Sequence, residues 1–327
     1  MSQNRKKILI LAMSCNQTLF IEQEKFLKEE SYAKDIIDGK YEDVEFYSYS
    51  ASADDKIHIS KKNHRITVPC DDSLNGTFEK TQKIFNALDS LNIEYDYIFR
   101  TNCSTWVNIQ LLRHFIDGIP EEDFHFIYSS SIYSTLDSCG PDMFDFYGVG
   151  NSLIIPKFWI DIVKNSDIEE YKKSVRNEFM DENMYKIDDN AIGIICNVYA
   201  EQHNIDKHSI WKGYRSVLET KSDFIENRTF HNYIAIPIRD YKSDRTVEFA
   251  VHKRLVMNLV DIDFSGKTDY DVYLSLVQKD LIYLVDFNQH FCLPLPREIA
   301  LGFVNNHNNF DNKIENYYSY LKKLNLV

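Results

Sequence analysis

Two short stretches limit the fold more than any other part of this chain. Ile8 to Met13 is apolar at every position, and the polar Ser14-Cys15-Asn16-Gln17-Thr18 follows it. Tyr97, Ile98 and Phe99 form a second apolar, β-prone run, and Asn102-Cys103-Ser104 follows close behind. A strand without apolar–polar alternation needs cover on both faces, which a helix-flanked sheet supplies. Open α/β sheets place ligands where such strands end. The second polar segment is therefore a candidate ligand contact, and a helix is expected after it, with Val107, Leu111, Leu112 and Phe115 near helical spacing.

The rest of the chain fits the same plan. Strands are expected at 43–49, 65–69, 124–128, 144–155 and 230–238, the fourth carrying Gly148 and Gly150. Helices are expected from Phe20 to about Ile36, from Phe78 to Leu91, from Pro156, across 166–186, from Ala191 to Tyr199 and from Arg245 to Val260. Residues 51–64 read as a loop, Asn75-Gly76 as a turn, and the last sixty residues as further helix. Alternation of strand and helix up to about residue 200 predicts a mixed, mostly parallel sheet flanked by helices, Rossmann-like in plan. One large domain over 1–262 and a helical C-terminal extension over 263–327, packed on it, are expected.

Composition narrows the partners. A formal charge of −13 argues against nucleic acid or an anionic membrane as the default partner. Against that background Arg239, Lys242, Arg245, Lys253 and Arg254 lie close together, either on a solvated helix face or as a patch for a phosphate or diphosphate. The six cysteines form no CxxC pair, so neither a zinc site nor a disulfide framework is expected, and a reducing compartment is favoured. No apolar run approaches about 18 residues, so no transmembrane segment is expected. The expected location is cytoplasmic, with peripheral attachment to a membrane left open.

Polar residues at other strand ends add candidates. Asp71-Asp72-Ser73 follows the 65–69 strand, either as turn chemistry before Asn75-Gly76 or as hydrogen-bond acceptors. Asp188-Asp189-Asn190 precedes a helix, where either aspartate would serve as N-cap. Arg100 lies inside an apolar strand and needs a carboxylate, Asp96 or one of the 188/189 pair.

Four segments carry a resemblance, in chain order: the apolar strand ending at Ser14; Asp71-Asp72-Ser73 with Thr77-Phe78-Glu79-Lys80-Thr81; the stretch Tyr95-Asp96-Tyr97-Ile98-Phe99-Arg100-Thr101-Asn102-Cys103-Ser104-Thr105-Trp106-Val107-Asn108; and Tyr147-Gly148-Val149-Gly150 together with Asp188-Asp189-Asn190-Ala191-Ile192-Gly193. Together they resemble the β-1,3-galactosyltransferase/Fringe-like group of GT-A glycosyltransferases, over roughly residues 7–200. The third segment keeps that group's frame, but Asn102, Cys103 and Ser104 replace all three of its acidic positions, so the metal-binding DxD motif is degenerate.

The resemblance implies an inverting sugar transfer from a nucleotide sugar, with a UDP-sugar the first choice, to a hydroxyl of a glycan or glycolipid. It implies Asp189 as general base and Gly148, Gly150 and Asp188 near the acceptor. It implies donor contacts at Ser14, Asp71, Asp72, Lys80, Asn102 and Ser104. With the acidic triplet gone, no divalent metal and no cofactor beyond the nucleotide-sugar co-substrate are expected. Lys80, Arg239, Lys242 and Arg245 are then the candidates to meet the diphosphate charge. His231 reads as a relic of a metal-holding histidine or as a structural or donor hydrogen-bonding residue. The alternative is a catalytically silent GT-A domain that binds nucleotide sugar or glycan. A nucleotidyltransferase fits less well, because Ser14 to Thr18 is neither glycine-rich nor basic.

Overall fold

The structure is a computed structural model that describes residues 5–129, 132–134, 146–148, 152–174, 185–206, 209–213, 235–237, 283–287 and 291–295. Among these residues the strands are β1 (Ile8–Met13), β2 (Val44–Ser52), β3 (His58–Ser60), β4 (Arg65–Pro69), β5 (Tyr97–Asn102), β6 (Thr105–Val107), β7 (Ile127–Ser129), β8 (Ile132–Ser134), β9 (Phe146–Gly148), β10 (Ser152–Pro156), β11 (Trp211–Gly213), β12 (Ala235–Pro237), β13 (Tyr283–Phe287) and β14 (Phe291–Leu295). The helices are α1 (Thr18–Glu30), α2 (Tyr32–Ile37), α3 (Thr77–Leu88), α4 (Ile109–Asp117), α5 (Lys157–Asn165), α6 (Ile168–Ser174) and α7 (Asp188–Gln202).

The chain divides into two compact units, one of Met1–Lys25, Ala33–Cys103 and Arg113–Tyr214, the other of Phe26–Tyr32, Ser104–Leu112 and Arg215–Val327. The first unit holds an eight-stranded sheet in the order β11-β7-β10-β5-β1-β2-β4-β3. The central pairs β5–β1, β1–β2 and β2–β4 are parallel, β11–β7 is parallel, and β10 and β3 run antiparallel to their neighbours. This is the mixed, mostly parallel sheet with flanking helices expected for a GT-A-like chain.

Period-two alternation sends one set of side chains to a single face: Leu9 and Leu11, Tyr47 and Tyr49, Ile66 and Val68, Ile98, Leu153 and Ile155. They pack in one core with Phe78, Ile84, Phe85 and Leu88 of α3, Trp159, Ile160 and Val163 of α5, and Ala191, Ile192 and Ile195 of α7. These α3 residues are the apolar side that helical spacing marks out in the sequence. At the start of α3, Gly76 is required by close approach, because a Cβ there would lie 2.0 Å from the Asp71 carbonyl oxygen.

The second unit pairs β12 with β6 and holds the antiparallel hairpin β13–β14. That hairpin is a correction, since helix was expected in the 263–327 region, whose other residues lie outside the described ones. Its Tyr283–Phe287 and Phe291–Leu295 runs are rich in strand-forming aromatic and branched residues.

Other elements differ from expectation in detail. Val107 closes β6 rather than opening a helix, and α4 begins at Ile109, where the Asn108 side chain accepts the Leu111 N–H at 3.1 Å. The expected loop at 51–64 contains β3, an antiparallel edge strand on β4. The expected helix at 20–36 breaks between α1 and α2, and the expected strand at 144–155 is β9 and β10, which belong to different sheets. The helix expected over 245–260 lies outside the described residues.

Candidate functional site

The connection from β1 moves to β2 on one side, and β5 later returns to β1 on the other. The chain therefore changes direction across the sheet between β1 and β5, the place where open α/β sheets bind ligands. Met13 at the end of β1 is the register partner of Asn102 on β5 and of Tyr49 on β2. The Cys103 N–H donates to the Met13 carbonyl at 3.0 Å, locking the two strand ends together. Ser14 is buried beyond β1, its N–H on the Tyr49 carbonyl at 2.7 Å. Asn102 is half-buried at the same edge, and Cys103 is buried. Ser104 is buried and belongs to the second unit.

Asp72 ties the neighbouring strand ends together. Its Oδ2 accepts the Asn16 N–H at 2.6 Å, and its Oδ1 accepts the Ala51 N–H at 3.4 Å and the Lys80 ammonium at 2.6 Å. The Lys80 side chain is 2% exposed, so its charge is already committed to Asp72. Asp71 next door is exposed and bonds to the Ser73 hydroxyl and N–H, which hold its carboxyl below the usual carboxylate range. Arg65 completes this corner: it donates to the Ser50 hydroxyl at 2.9 Å and to the Asn16 side chain at 3.4 Å, and it lies 3.6 Å from Glu24.

A second corner is built beneath the first turn of α7. Arg100 points from the core face of β5 and sets Nη2 2.5 Å from Asp188 Oδ2, with both side chains buried. The Thr81 hydroxyl on α3 donates to the same oxygen at 3.2 Å. The Tyr49 phenol lies 3.2 Å from the Thr81 hydroxyl and within the field of Arg100. Tyr49, Thr81, Asp188 and Arg100 therefore form one buried polar cluster across β2, α3, α7 and β5. Burial pushes the Asp188 carboxyl up to about 6, with Asp189 adding to the rise and Arg100 opposing it.

Asp188 and Asp189 are the first residues of α7, not its cap. The cap position is Ile187, which makes no side-chain capping bond. Two carboxylates in the first turn suit the positive end of the helix dipole. The Asp188 N–H donates to the Thr77 hydroxyl at 3.2 Å, so α3 supplies the anchor that a capping side chain would otherwise give. Asp189 is half-buried, accepts the Asn190 N–H at 3.0 Å, and contributes to the field at both Arg100 and Asp188.

The structure thus brings Ser14, Asp71, Asp72, Lys80, Asn102, Asp188 and Asp189 to one end of the first unit's sheet and its helices. Gly148 lies in β9, opposite Ile132 of β8, and β9 packs against α7. Gly150, His231, Arg239, Lys242 and Arg245 lie outside the described residues. Asn16, Tyr49, Arg65 and Thr81 are site residues that the sequence reading did not single out. A signal for part of this existed: Ser48, Ser50 and Ser52 recur at alternate positions of β2, marking a polar lane on the strand.

The resemblance to GT-A enzymes implies a divalent metal, and the residues here do not fit one. The strand-end donor set is an amide, a buried thiol and a hydroxyl, poor ligands for a hard cation. Among the described residues, no group of three or more His, Cys, Asp or Glu side chains is placed to hold a metal.

No family model matches the chain, and no curated relative does. Among solved structures it is similar to a glycosyltransferase involved in glycosylation of the major capsid of PBCV-1, at 9% identity and a TM-score of 0.38, covering 73% of this chain and 98% of that one. It is also similar to the glycosyltransferase GlyE of Streptococcus pneumoniae TIGR4 in its apo form, at 12% identity and a TM-score of 0.34, covering 97% of this chain and 64% of that one. A second GlyE structure gives 10% identity and a TM-score of 0.32 with the same coverage. This chain therefore spans less than two thirds of the GlyE chain's length. Among the described residues no helix is long and apolar enough to cross a membrane.

Proposed function

We propose that the chain is an inverting glycosyltransferase that moves a sugar from a nucleotide-sugar donor to a hydroxyl of a glycan or glycolipid acceptor. The observation that carries this reading is the division of labour at the start of α7. Asp188 is buried on Arg100, while the adjacent Asp189 is half-buried. Asp189 takes the proton of the acceptor hydroxyl as that oxygen bonds to the anomeric carbon. The bond from the anomeric carbon to the diphosphate breaks in the same displacement, and the nucleoside diphosphate leaves with the electron pair. Asn102, Ser14 and Asp71 lie toward the donor. Fixed cations, not a divalent metal, meet the charge on the leaving group.

The test is release of the donor's nucleotide, UDP or GDP from UDP- and GDP-sugars and CMP from CMP-sugars, in the presence of EDTA. Turnover should persist in EDTA, and Asp189→Asn should lower it by about 10²- to 10⁴-fold while donor-induced thermal stabilisation remains. A fully active Asp189→Asn variant overturns the base assignment. Strict dependence on Mn²⁺ overturns metal independence. The replaced acidic triplet favours a second reading, a silent domain that binds nucleotide sugar. Stabilisation by a donor without turnover against any acceptor would establish it.

A further inference from the structure

The first turn of α7 holds two adjacent carboxylates in unlike surroundings. A helix start needs partners for its free N–H groups, and here no side chain at the cap position provides one. Thr77 of α3 takes the Asp188 N–H instead, and its own hydroxyl reaches the Leu74 and Lys186 carbonyls at 2.9 and 3.3 Å. The Asp188 side chain is then fixed from a second direction by Thr81 and from a third by Arg100. Burying two opposite charges at this spot is costly, and an apolar pair of similar volume would hold a helix against a sheet at least as well. What the charged cluster adds is direction. A carboxylate bound by a guanidinium and a hydroxyl in fixed places allows one rotation of the turn, whereas apolar packing tolerates several.

We infer that Asp188 is a positioning residue: its ion pair with Arg100 and its hydrogen bond from Thr81 fix the first turn of α7 so that Asp189 presents its carboxylate at the strand ends. The inference rests on Asp189 as the base, and it removes Asp188 from the acceptor contacts. Tyr49 belongs to the same device, because its phenol is hydrogen-bonded to the Thr81 hydroxyl at 3.2 Å. Rotating the turn would move the Asp189 carboxylate without touching any group that binds the donor.

Thr81→Val is the sharpest variant, since it removes the bonds of one hydroxyl, to Asp188 and to Tyr49, and leaves the Arg100–Asp188 pair in place. In the donor-release assay it should lower kcat by about 10- to 100-fold with donor KM unchanged. Thr81→Ser, which restores the hydroxyl, should recover the wild-type rate. Asp188→Asn should show the same split between kcat and KM. Wild-type kcat in folded Thr81→Val and Asp188→Asn would overturn the inference, as would a loss of kcat in Thr81→Val that Thr81→Ser fails to recover. If Asp188→Asn does not fold, the two Thr81 variants decide. An inactive Asp189→Asn beside fully active Thr81→Val and Asp188→Asn defeats this inference alone. A fully active Asp189→Asn defeats the base assignment beneath it.

Discussion

Two buried cations of the first unit look alike from the cation's side and differ at the carboxylate. Lys80 lies 2.6 Å from Asp72, Arg100 lies 2.5 Å from Asp188, and both cationic side chains are almost fully enclosed. Asp72, however, is 26% exposed, against 5% for Asp188. Asp72 also receives two backbone N–H groups, from Asn16 and Ala51. It is a solvated anion that fastens three strand ends. Asp188 is a desolvated anion whose burial works against its charge. The first pair is accounted for by stability. The second is not, and that is why a geometric role is the better reading of it.

The comparison can be broken most directly by removing each cation. Arg100→Met leaves Asp188 buried without a counter-charge and should cost about 3–5 kcal/mol in urea unfolding. Lys80→Met leaves Asp72 with its two backbone donors and with access to water, and should cost about 1.5–3 kcal/mol, the range for one hydrogen bond to a charged group. Equal losses would mean that the exposure of the carboxylate does not matter, and the contrast between the two corners would fail.

The pH dependence of stability sharpens the same contrast. The Asp188 carboxyl is raised in the folded protein from 3.8 to about 6. Between these values the folded chain holds a proton at Asp188 that the unfolded chain has lost, so this group's contribution falls as pH rises. It is fully present below 3.8 and gone above about 6. In Asp188→Asn the contribution disappears, so stability plotted against pH should slope more steeply upward, or less steeply downward, than in the wild type. Parallel curves from pH 4 to 6 would show that Asp188 is not the strained carboxylate of the pair.

Much of this arrangement can be read from the chain because it follows from local pattern. Ile8 to Met13 and Tyr97 to Phe99 declare buried strands, and the polar residues after them mark the end at which the site forms. Arg100 inside an apolar strand declares the need for a carboxylate. Its partner depends on the fold: Asp96, the nearer candidate in sequence, accepts the Lys7 N–H at 2.7 Å, and Asp188 meets Arg100 only because α7 packs over β5's core face. Lys80 reads as a free cation from its place in a motif, yet Asp72, eight residues earlier, claims it once β4 and α3 pack together. Short elements are less legible. Thr105-Trp106-Val107 suits either a three-residue strand or the approach to a helix, and pairing with β12 decides between them.

The smallest effect comes from the carboxylate beside Asp72. Asp71 shares the strand end and the negative charge, but it is exposed and bonds within its own turn, to Ser73. Those bonds lower its pKa, so its ionisation favours the folded state above the ordinary carboxylate range, and that contribution fades as pH falls through the depressed value. Water competes for each of these bonds, and salt screens the charge. Asp71→Ala keeps the backbone carbonyl that packs on Gly76, so the approach that shapes the start of α3 survives the change. Its urea midpoint at pH 7 should match that of the wild type. A donor contact would show itself elsewhere: if Asp71 faces the nucleoside, the same variant should raise donor KM with kcat unchanged. A shifted urea midpoint would instead give Asp71 the fastening role assigned to Asp72, and the two neighbours would no longer differ in kind.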